Sequence, residues 1–569
     1  MVGLGELVKV LGAKVIAPDV LSVKSNINRS DIDRIAATAE ASSGRTLNHT
    51  AGFAQELCDV EHDSRRVTEG SLFACIPGLQ SDGHDYAQAA IDAGARALLV
   101  QNVIPNCVVP QLLVASVRRA LGPAAAAVYE HPSKKTDLVG VTGTNGKTTT
   151  VRIIASLLVS AGFGVCEIGT LTGVRTTPEA SELQRLIATS VDEGNRSVVM
   201  EVSSHALSQH RVDACTFRVV VFTNLGHDHL DYHKTSEAYF MAKAKLFDPE
   251  KAERAIINTT TEAGQRLVRI AESRLLPITE INENSMQIIR IGVRSSLFEW
   301  RDELVHLPLG GAFNVVNAVT AAETAVLLGL SSRFIVEALA DVPQIPGRFE
   351  SVELPVSRTG SAYMNQDLAV EEAQFNSGQR DRSENAEKSN DKPLRSTALT
   401  SEANDPIRNT RENFRVIVDY AHTPEGIESV LKAARAVTEG RLMIVFGAGG
   451  DRDHVKRPVM GRVAEKLADL VVLTNDNPRS EAPQLIIADI TEGMSGSPDL
   501  IETDRRLAIR YALTEADSGD VIVIAGKGHE NVQIIGCEEY EFDDRQVTQD
   551  ELLRLHDLRA ANNSSTTSR

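Results

Sequence analysis

The sequence predicts an α/β protein of three domains, with a central P-loop-type parallel-sheet ATPase and a C-terminal Rossmann-like domain. Three observations carry that reading. From about residue 136, apolar β-branched runs of buried-strand length alternate with helical patterns. The stretch "GVTGTNGKTTT" (Gly140–Thr150) places a glycine-rich turn and a Lys-Thr pair between a strand and a helix. A chain of 569 residues is long enough for several domains, each with its own core.

Composition narrows the function. Hydrophobic residues at 42% and charged residues at 24% describe an ordinary soluble globular protein. Lys+Arg 59 against Asp+Glu 77 gives a net charge of −18, which disfavours a general nucleic-acid binder. An anionic ligand must then be held by local Arg, Lys and backbone N–H groups. Cys58, Cys75, Cys107, Cys166, Cys215 and Cys537 form no C-x-x-C pair, so reduced thiols in a cytoplasm are expected rather than disulfides or a zinc site. The N-terminus lacks a signal-peptide layout, and no run approaches the roughly 18 apolar residues of a membrane span.

The elements follow in order. The first 40 or so residues are weakly patterned, whereas 60–135 reads turn, strand, glycine turn, helix, strand, closing a first domain over 1–135. In 136–345, "TDLVGVTG", "RSVVMEV" and "TFRVVVFTN" are strands and "FNVVNAVTAAETAVLLGL" is a helix. After "PGRFE", residues about 360–412 are polar and aperiodic and are expected to be a disordered surface insertion. A third alternation, "FRVIVDY", "RLMIVFG", "DLVVLTN" and "DVIVIAG", completes a domain over 346–569, whose tail "NNSSTTSR" is expected to fray.

Four stretches carry chemistry. In the glycine turn, Gly143 and Gly146 let backbone N–H groups face an anion, Lys147 reaches the outer phosphates, and the Thr148 hydroxyl suits Mg²⁺. The strict G-x-x-x-x-G-K-[ST] pattern is not met, because Val141 stands where the first glycine belongs. "MEVSSHAL" leaves Glu201 and Ser203 at a strand end, where a carboxylate suits Mg²⁺ and the serines also read as a helix cap. "TNLGHDHLDYH" groups His227, Asp228, His229, Asp231 and His233, which suits one metal-contacting histidine better than a closed zinc site. On the helix "SEAYFMAKAKLFD", Lys243 and Lys245 read, taken alone, as solvated surface lysines.

Taken in register, "GTNGKTT", "MEVSSHAL", "NLGHDHLDYH", "AKAKLF", "FNVVN", "PGRFE", "DYAHTP", "GAGGDRDHVKRP", "DNPRSE" and "AGKGHE" resemble the Mur ligase family of peptidoglycan synthesis, from about Asp63 to Gln533. The resemblance implies an N-terminal domain for a UDP-linked substrate, a central ATPase and a C-terminal domain for the incoming amino acid. The implied reaction is an ATP-dependent amide ligation through an acyl phosphate. It adds meso-diaminopimelate to the D-glutamate γ-carboxylate of UDP-N-acetylmuramoyl-L-alanyl-D-glutamate, with a monomer expected. Gly143, Thr144, Asn145, Gly146, Lys147, Thr148 and Thr149 are then expected on ATP, together with Asn314, Arg348, Asp419 and His422. Thr148, Glu201 and His229 are expected on Mg²⁺, and Lys243 as a carbamylated lysine on a second Mg²⁺, which overrides its reading as a surface lysine. Ser64, Leu79, Gln80, Ser81, Thr176, Thr177, Ser203, Gln209 and Arg211 match contacts to the UDP-muramoyl dipeptide.

For diaminopimelate the matching residues are Arg452, Asp476, Asn477, Pro478, Arg479, Gly526 and Glu530. Arg479 is expected to grip the distal carboxylate, with Asp476 or Asn477 meeting the distal ammonium. Three departures stand out. The insertion has no counterpart, the N-terminus is longer than expected, and His62 stands where the family often has a leucine beside the uracil. The rival readings are a lysine-adding relative, a folate polyglutamylating ligase, and a nucleotide-binding scaffold without chemistry. The second is disfavoured because the loop reads "GTNGKTT" rather than "GTNGKGS", and the third because Lys147, Glu201 and Lys243 are all present.

Overall fold

The structure is a computed structural model, described over residues 2–17, 56–78, 81–353 and 414–566. The expected insertion at 360–412 lies outside these residues, as do Leu79 and Gln80.

The central sheet explains the position of the site. Six parallel strands run in the order Ile278–Ile281, Ala255–Asn258, Val219–Phe222, Asp137–Thr142, Ser197–Glu201 and Val165–Ile168. Both faces are apolar because the side chains alternate. Val139, Val141, Val199, Val219 and Val221 pack on one face with Ile153, Leu157, Val315 and Val319, which come from helices Lys147–Ser160 and Ala312–Leu327. Leu138, Val198, Met200, Val220 and Phe222 pack on the other with Leu183, Ile187, Phe240 and Phe247. From Thr142 the chain moves out to Val165–Ile168, returns beside its starting strand as Ser197–Glu201, then crosses to Val219–Phe222 on the opposite side. The loops leaving Thr142, Glu201 and Phe222 therefore meet at the strand ends, where the order reverses.

The N-terminal sheet has five strands, in the order Lys14–Ile16, Gln111–Leu113, Ala97–Val100, Ser71–Ala74 and Asp59–Glu61. Lys14–Ile16 pairs antiparallel and the others parallel. The weakly patterned N-terminus thus contributes an ordered edge strand, and Leu4 and Leu7 of helix Leu4–Leu11 enter the core.

In the C-terminal sheet the order is Glu350–Val352, Arg415–Asp419, Val521–Ala525, Leu442–Phe446, Leu470–Leu473 and Leu500–Ile501. Its first pair is antiparallel, with Ser351 opposite Ile417, and the remainder are parallel. Its last helix, Asp544–Thr566, continues into the stretch expected to fray.

A three-stranded antiparallel sheet, Gln287–Ile291, Ser296–Trp300 and Glu303–Leu307, was not legible in the sequence. Its second turn has only Arg301 and Asp302 between the paired Trp300 and Glu303, both at positive φ (52° and 62°). Such a turn normally advertises itself with Asn-Gly. Here Arg301 is held instead by Glu323, which also accepts from Trp300 Nε1 at 3.0 Å.

Candidate active site

The glycine turn is clasped by the neighbouring strand end. Thr144 N donates to Asn224 O (3.0 Å), Asn145 N donates to Asn224 Oδ1 (2.9 Å), and Thr223 Oγ1 donates to Asn145 O (2.6 Å). A Cβ at Gly143 would collide with Thr223 Oγ1, and Gly146 adopts φ 82° with no room for a side chain beside Asn317 Oδ1. The glycines are thus required both by conformation and by close approach. Helix Lys147–Ser160 begins at once and points its N-terminus into the turn. Thr149 is buried behind it. Asn314 is also buried, donating to Gly310 O (2.8 Å) and accepting from Asn317 Nδ2 (3.4 Å).

Lys147 is half-buried, and its Nζ donates to Gly143 O (3.0 Å) and Thr144 O (2.9 Å). Burial lowers its pKa, against the raising effect of Glu201 and Asp228. Beside it, the buried Glu201 Oε1 accepts from Thr148 Oγ1 (3.0 Å) and from Thr170 N (2.8 Å). On the far side, Thr170 Oγ1 meets Thr176 Oγ1 (3.1 Å), and Thr177 Oγ1 donates to the main-chain oxygen of Glu201 (2.9 Å). Thr177 also accepts from Ser203 N (3.0 Å) and receives Arg211 Nη1 on its carbonyl (2.9 Å), while Arg211 Nη2 reaches Gln209 Oε1 (2.7 Å). Glu201 therefore joins the candidate phosphate residues, through its carboxylate, to the candidate dipeptide residues Thr176, Thr177, Ser203, Gln209 and Arg211, through Thr170 and its own main-chain oxygen.

Ser64 and Ser81 lie on the N-terminal domain, apart from this network. That domain docks on helix Ala180–Asp192 through His62 Nδ1 and Ser181 Oγ (3.0 Å), Arg66 and Glu182 (3.3 Å), and Arg185 and Glu61. His62 is thus engaged at the domain junction.

Lys243 is not a surface lysine. It is 2% exposed, donates to Gly143 O at 2.8 Å and lies 4.5 Å over the Tyr239 ring, while Lys245 is exposed as expected. The helix is short and its inner face packs directly against the phosphate loop, so a lysine on that face has no route to solvent. Burial, then the charge of Lys147, drives its pKa well below the usual lysine range.

Asp228 gathers groups from two domains. It lies 3.3 Å from His229 Nε2, and 3.6 Å from Lys456 Nζ and 3.8 Å from His422 Nε2 of the C-terminal domain. Although burial raises its pKa, those charges hold it well below the usual carboxylate range. His229, at φ 57°, packs edge-on to His205 at 4.7 Å, and burial lowers its pKa to about 3. Burial likewise lowers His422 to about 4, and its Nδ1 meets Tyr420 O at 2.8 Å. Arg348 spans the same gap, donating to Thr148 Oγ1 (3.3 Å) and stacking 4.2 Å over the Tyr420 ring. Asp419 fixes its backbone by accepting from Phe349 N (2.6 Å) and Ala421 N (2.7 Å), and burial raises the Asp419 pKa.

In the C-terminal domain the loops after Leu470–Leu473 and Val521–Ala525 face each other. Arg479 Nη1 donates to Gly450 O (2.8 Å), and Arg452 and Arg479 flank Gly449. Gly526 has φ 117°, and a side chain there would run into Asp476 Oδ2. Asn477 Nδ2 donates to Glu530 Oε2 (2.8 Å); burial and the Asp476 charge raise the Glu530 pKa. Pro478 is buried behind the turn. The expected residues converge, with one correction. Asn477 Oδ1 is already taken by Lys527 Nζ (3.1 Å) and Ile534 N (2.9 Å), so it has no acceptor to offer an ammonium.

Sequence reasoning did not single out Thr170, Asn224, Tyr239, Lys456 and Lys527. Asn224, Tyr239, Lys456 and Lys527 sit inside stretches singled out for other residues, which was the signal available. Among the described residues no group of three or more His, Cys, Asp or Glu is arranged to hold a metal. The pair Thr148 and Glu201 beside a phosphate loop does suit Mg²⁺, which takes one or two carboxylates and completes its shell with phosphates and water.

Three family models match the chain: Mur ligase family, catalytic domain, over 59–129; Mur ligase middle domain over 141–325; and Mur ligase, glutamate ligase domain, over 406–528. A UDP-N-acetylmuramoyl-L-alanyl-D-glutamate–2,6-diaminopimelate ligase of Clostridium botulinum is 35% identical, covering 87% of this chain and 95% of its own. The protein of the same name from Synechococcus elongatus is 38% identical over 86% and 93%. A solved structure of that name superposes with TM-score 0.56 at 28% identity, over 90% of this chain and 98% of the other. At 18% identity and TM-score 0.55, a MurF ligase of Thermotoga maritima in complex with ADP shares the fold over 87% and 96%.

Proposed function

The chain belongs to the Mur ligase family, and from that premise we propose that it adds meso-diaminopimelate to UDP-N-acetylmuramoyl-L-alanyl-D-glutamate with ATP as the activating substrate. A carboxylate does not condense with an amine in neutral water, because oxide is a poor leaving group and the amine is protonated. Transfer of the γ-phosphoryl group to the D-glutamate γ-carboxylate forms a C–O–P bond and releases ADP. The free amine then attacks the acyl carbon, and phosphate leaves from the tetrahedral intermediate.

The observation that carries this reading is the Glu201 junction, with Thr148 on one side and Thr170 and Thr177 on the other. It supports bringing a phosphate donor and a carboxylate acceptor together, which is most of what such a reaction asks of a protein. Lys147 and the helix N-terminal N–H groups of Gly146 to Thr149 are suited to neutralise the phosphates. Thr148, Glu201 and His229 are our candidates for holding Mg²⁺, and a carbamylated Lys243 for a second ion. Bound there, Mg²⁺ supplies charge neutralisation at the transferring phosphoryl group. Arg348 and the Asp228–Lys456 contact support bringing the C-terminal domain, with its Arg479 pocket, over that junction. We assign domain limits of 1–135, 136–345 and 346–569, acting as a monomer in the cytoplasm; no described helix is long and apolar enough to cross a membrane.

Incorporation of labelled amino acid into the UDP-linked product tests the proposal. Meso-diaminopimelate should be incorporated in an ATP-dependent manner and L-lysine should not. Incorporation of lysine would favour the lysine-adding relative, a folate substrate the polyglutamylating one, and no incorporation a scaffold.

A further inference from the structure

Lysine is seldom fully buried without partners, yet Lys527 is 0% exposed. Its Nζ donates to Asn477 Oδ1 (3.1 Å) and Val532 O (2.5 Å), and lies 3.5 Å from Glu530 Oε2. One ammonium thus ties the loop bearing Asp476–Arg479 to its own loop and to the strand Val532–Ile535. Ile534 N donates to the same Asn477 atom at 2.9 Å. Two donors converge on that atom, so it must be the amide oxygen, and both its lone pairs are used. Turning the amide over would set its NH₂ against an ammonium and a backbone N–H. The nitrogen is held as well, by Glu530 Oε2 at 2.8 Å.

The polarity of the pocket follows. Asn477 has only its remaining N–H to show a ligand. The acceptors are the carboxylates of Asp476 and Glu530, while Arg479 and Arg452 supply donors around Gly449. Such a pocket matches an amino acid whose far end is itself zwitterionic, with ammonium toward the acids and carboxylate toward the guanidinium. We propose that Lys527 is a specificity-determining positioning residue. By fixing the Asn477 amide and anchoring Glu530, it sets the pocket to select a second zwitterionic end over a bare ammonium. This deepens the function proposed above and rests on it.

The test compares kcat/KM for meso-diaminopimelate and L-lysine in the full-length wild type, in Lys527→Met and in Asn477→Asp. Lys527→Met should lower the diaminopimelate-to-lysine ratio by at least about tenfold. The change should come through KM for diaminopimelate, with KM for ATP and for the UDP-dipeptide staying within about twofold. A merely structural lysine would weaken all three substrates together and leave the ratio alone. Should Lys527→Met fail to fold, Asn477→Asp keeps the partner of Lys527 but replaces the N–H facing Glu530 with a like charge, and the same ratio should fall. A ratio within threefold of wild type, in whichever variant folds, overturns the inference. A wild type without preference for diaminopimelate overturns the proposed function instead.

Discussion

Lys243 Nζ donates to the carbonyl oxygen of Gly143 across 2.8 Å, joining a helix that looked like surface to the heart of the phosphate loop. Burial and the charge of Lys147 lower the pKa of a lysine so placed, which favours the unprotonated amine, the form that reacts with carbon dioxide. Native mass spectrometry of the active protein should show a carbamate at Lys243. Lys243→Ala should lose activity by about 10²-fold or more, a loss that bicarbonate does not restore. Lys243→Glu should recover a part by supplying a shorter carboxylate. Plain lysine in a fully active preparation would remove carbamylation from the mechanism.

Lys147→Ala should abolish ligation, by at least about 10²-fold, while circular dichroism stays unchanged. The side chain is half-buried rather than exposed, so its two carbonyl contacts add a stability cost of about 1 kcal/mol. Turnover within tenfold of wild type would exclude Lys147 from a role at the phosphates.

Arg479→Ala should raise KM for diaminopimelate steeply and leave ATP and UDP-substrate binding near wild type. A planar guanidinium grips a carboxylate through two parallel hydrogen bonds, and a polar partner left unpaired is costly; the wild type should therefore discriminate against lysine by roughly 10⁴ or more. Steady-state kinetics with both amino acids check this. An Arg479→Ala enzyme with unchanged KM would move the grip elsewhere, Arg452 being the first candidate.

Deleting Ser361 to Pro406 should leave catalysis nearly unchanged. The strands on either side, Glu350–Val352 and Arg415–Asp419, pair antiparallel with Val352 opposite Val416, so the described residues flanking the segment sit side by side. A short connection can replace it, because loop-closure cost varies slowly with length. Loss of soluble protein, or a large rise in any Michaelis constant, would show that the segment packs on a domain.

Acid should destabilise the protein in a definite window. Burial lowers His233 to about 4, and its Nε2 meets Ser204 Oγ at 3.0 Å. A histidine with a depressed folded pKa adds stability that is complete above its unfolded pKa of about 6.5 and is lost as pH falls through 4, at most about 3 kcal/mol for one buried group. Thermal midpoints should therefore drop between about pH 6.5 and 4, and His233→Gln should flatten that slope. An unchanged slope would show that other groups set the acid limit.

Much of this was legible because strand and loop chemistry are local. The apolar runs ending at Thr142, Glu201 and Phe222 announced a parallel sheet, and the Gly, Lys and Thr residues after Thr142 announced the glycine turn and the helix that follows it. Burial was not legible where it is set by another part of the chain. Lys243 and Lys245 share one helix and one residue type, and only packing against Gly143 separates them. The same holds for the Arg301–Asp302 turn, held by Glu323 from a distant helix. It holds for Asn477 too, whose oxygen is claimed by residues 50 and 57 positions away.

The Arg348–Thr148 contact has a thermodynamic consequence. Arg348 leads into the C-terminal sheet, whereas Thr148 opens the helix behind the phosphate loop. Whatever favours this arrangement favours every ligand that prefers it. Binding linkage is reciprocal: on the function proposed above, any factor by which an amino acid in the Arg479 pocket changes nucleotide affinity is the factor by which nucleotide changes the affinity for that amino acid. On the assignments proposed above, nucleotide affinity would therefore gauge the Arg348–Thr148 contact between the two domains.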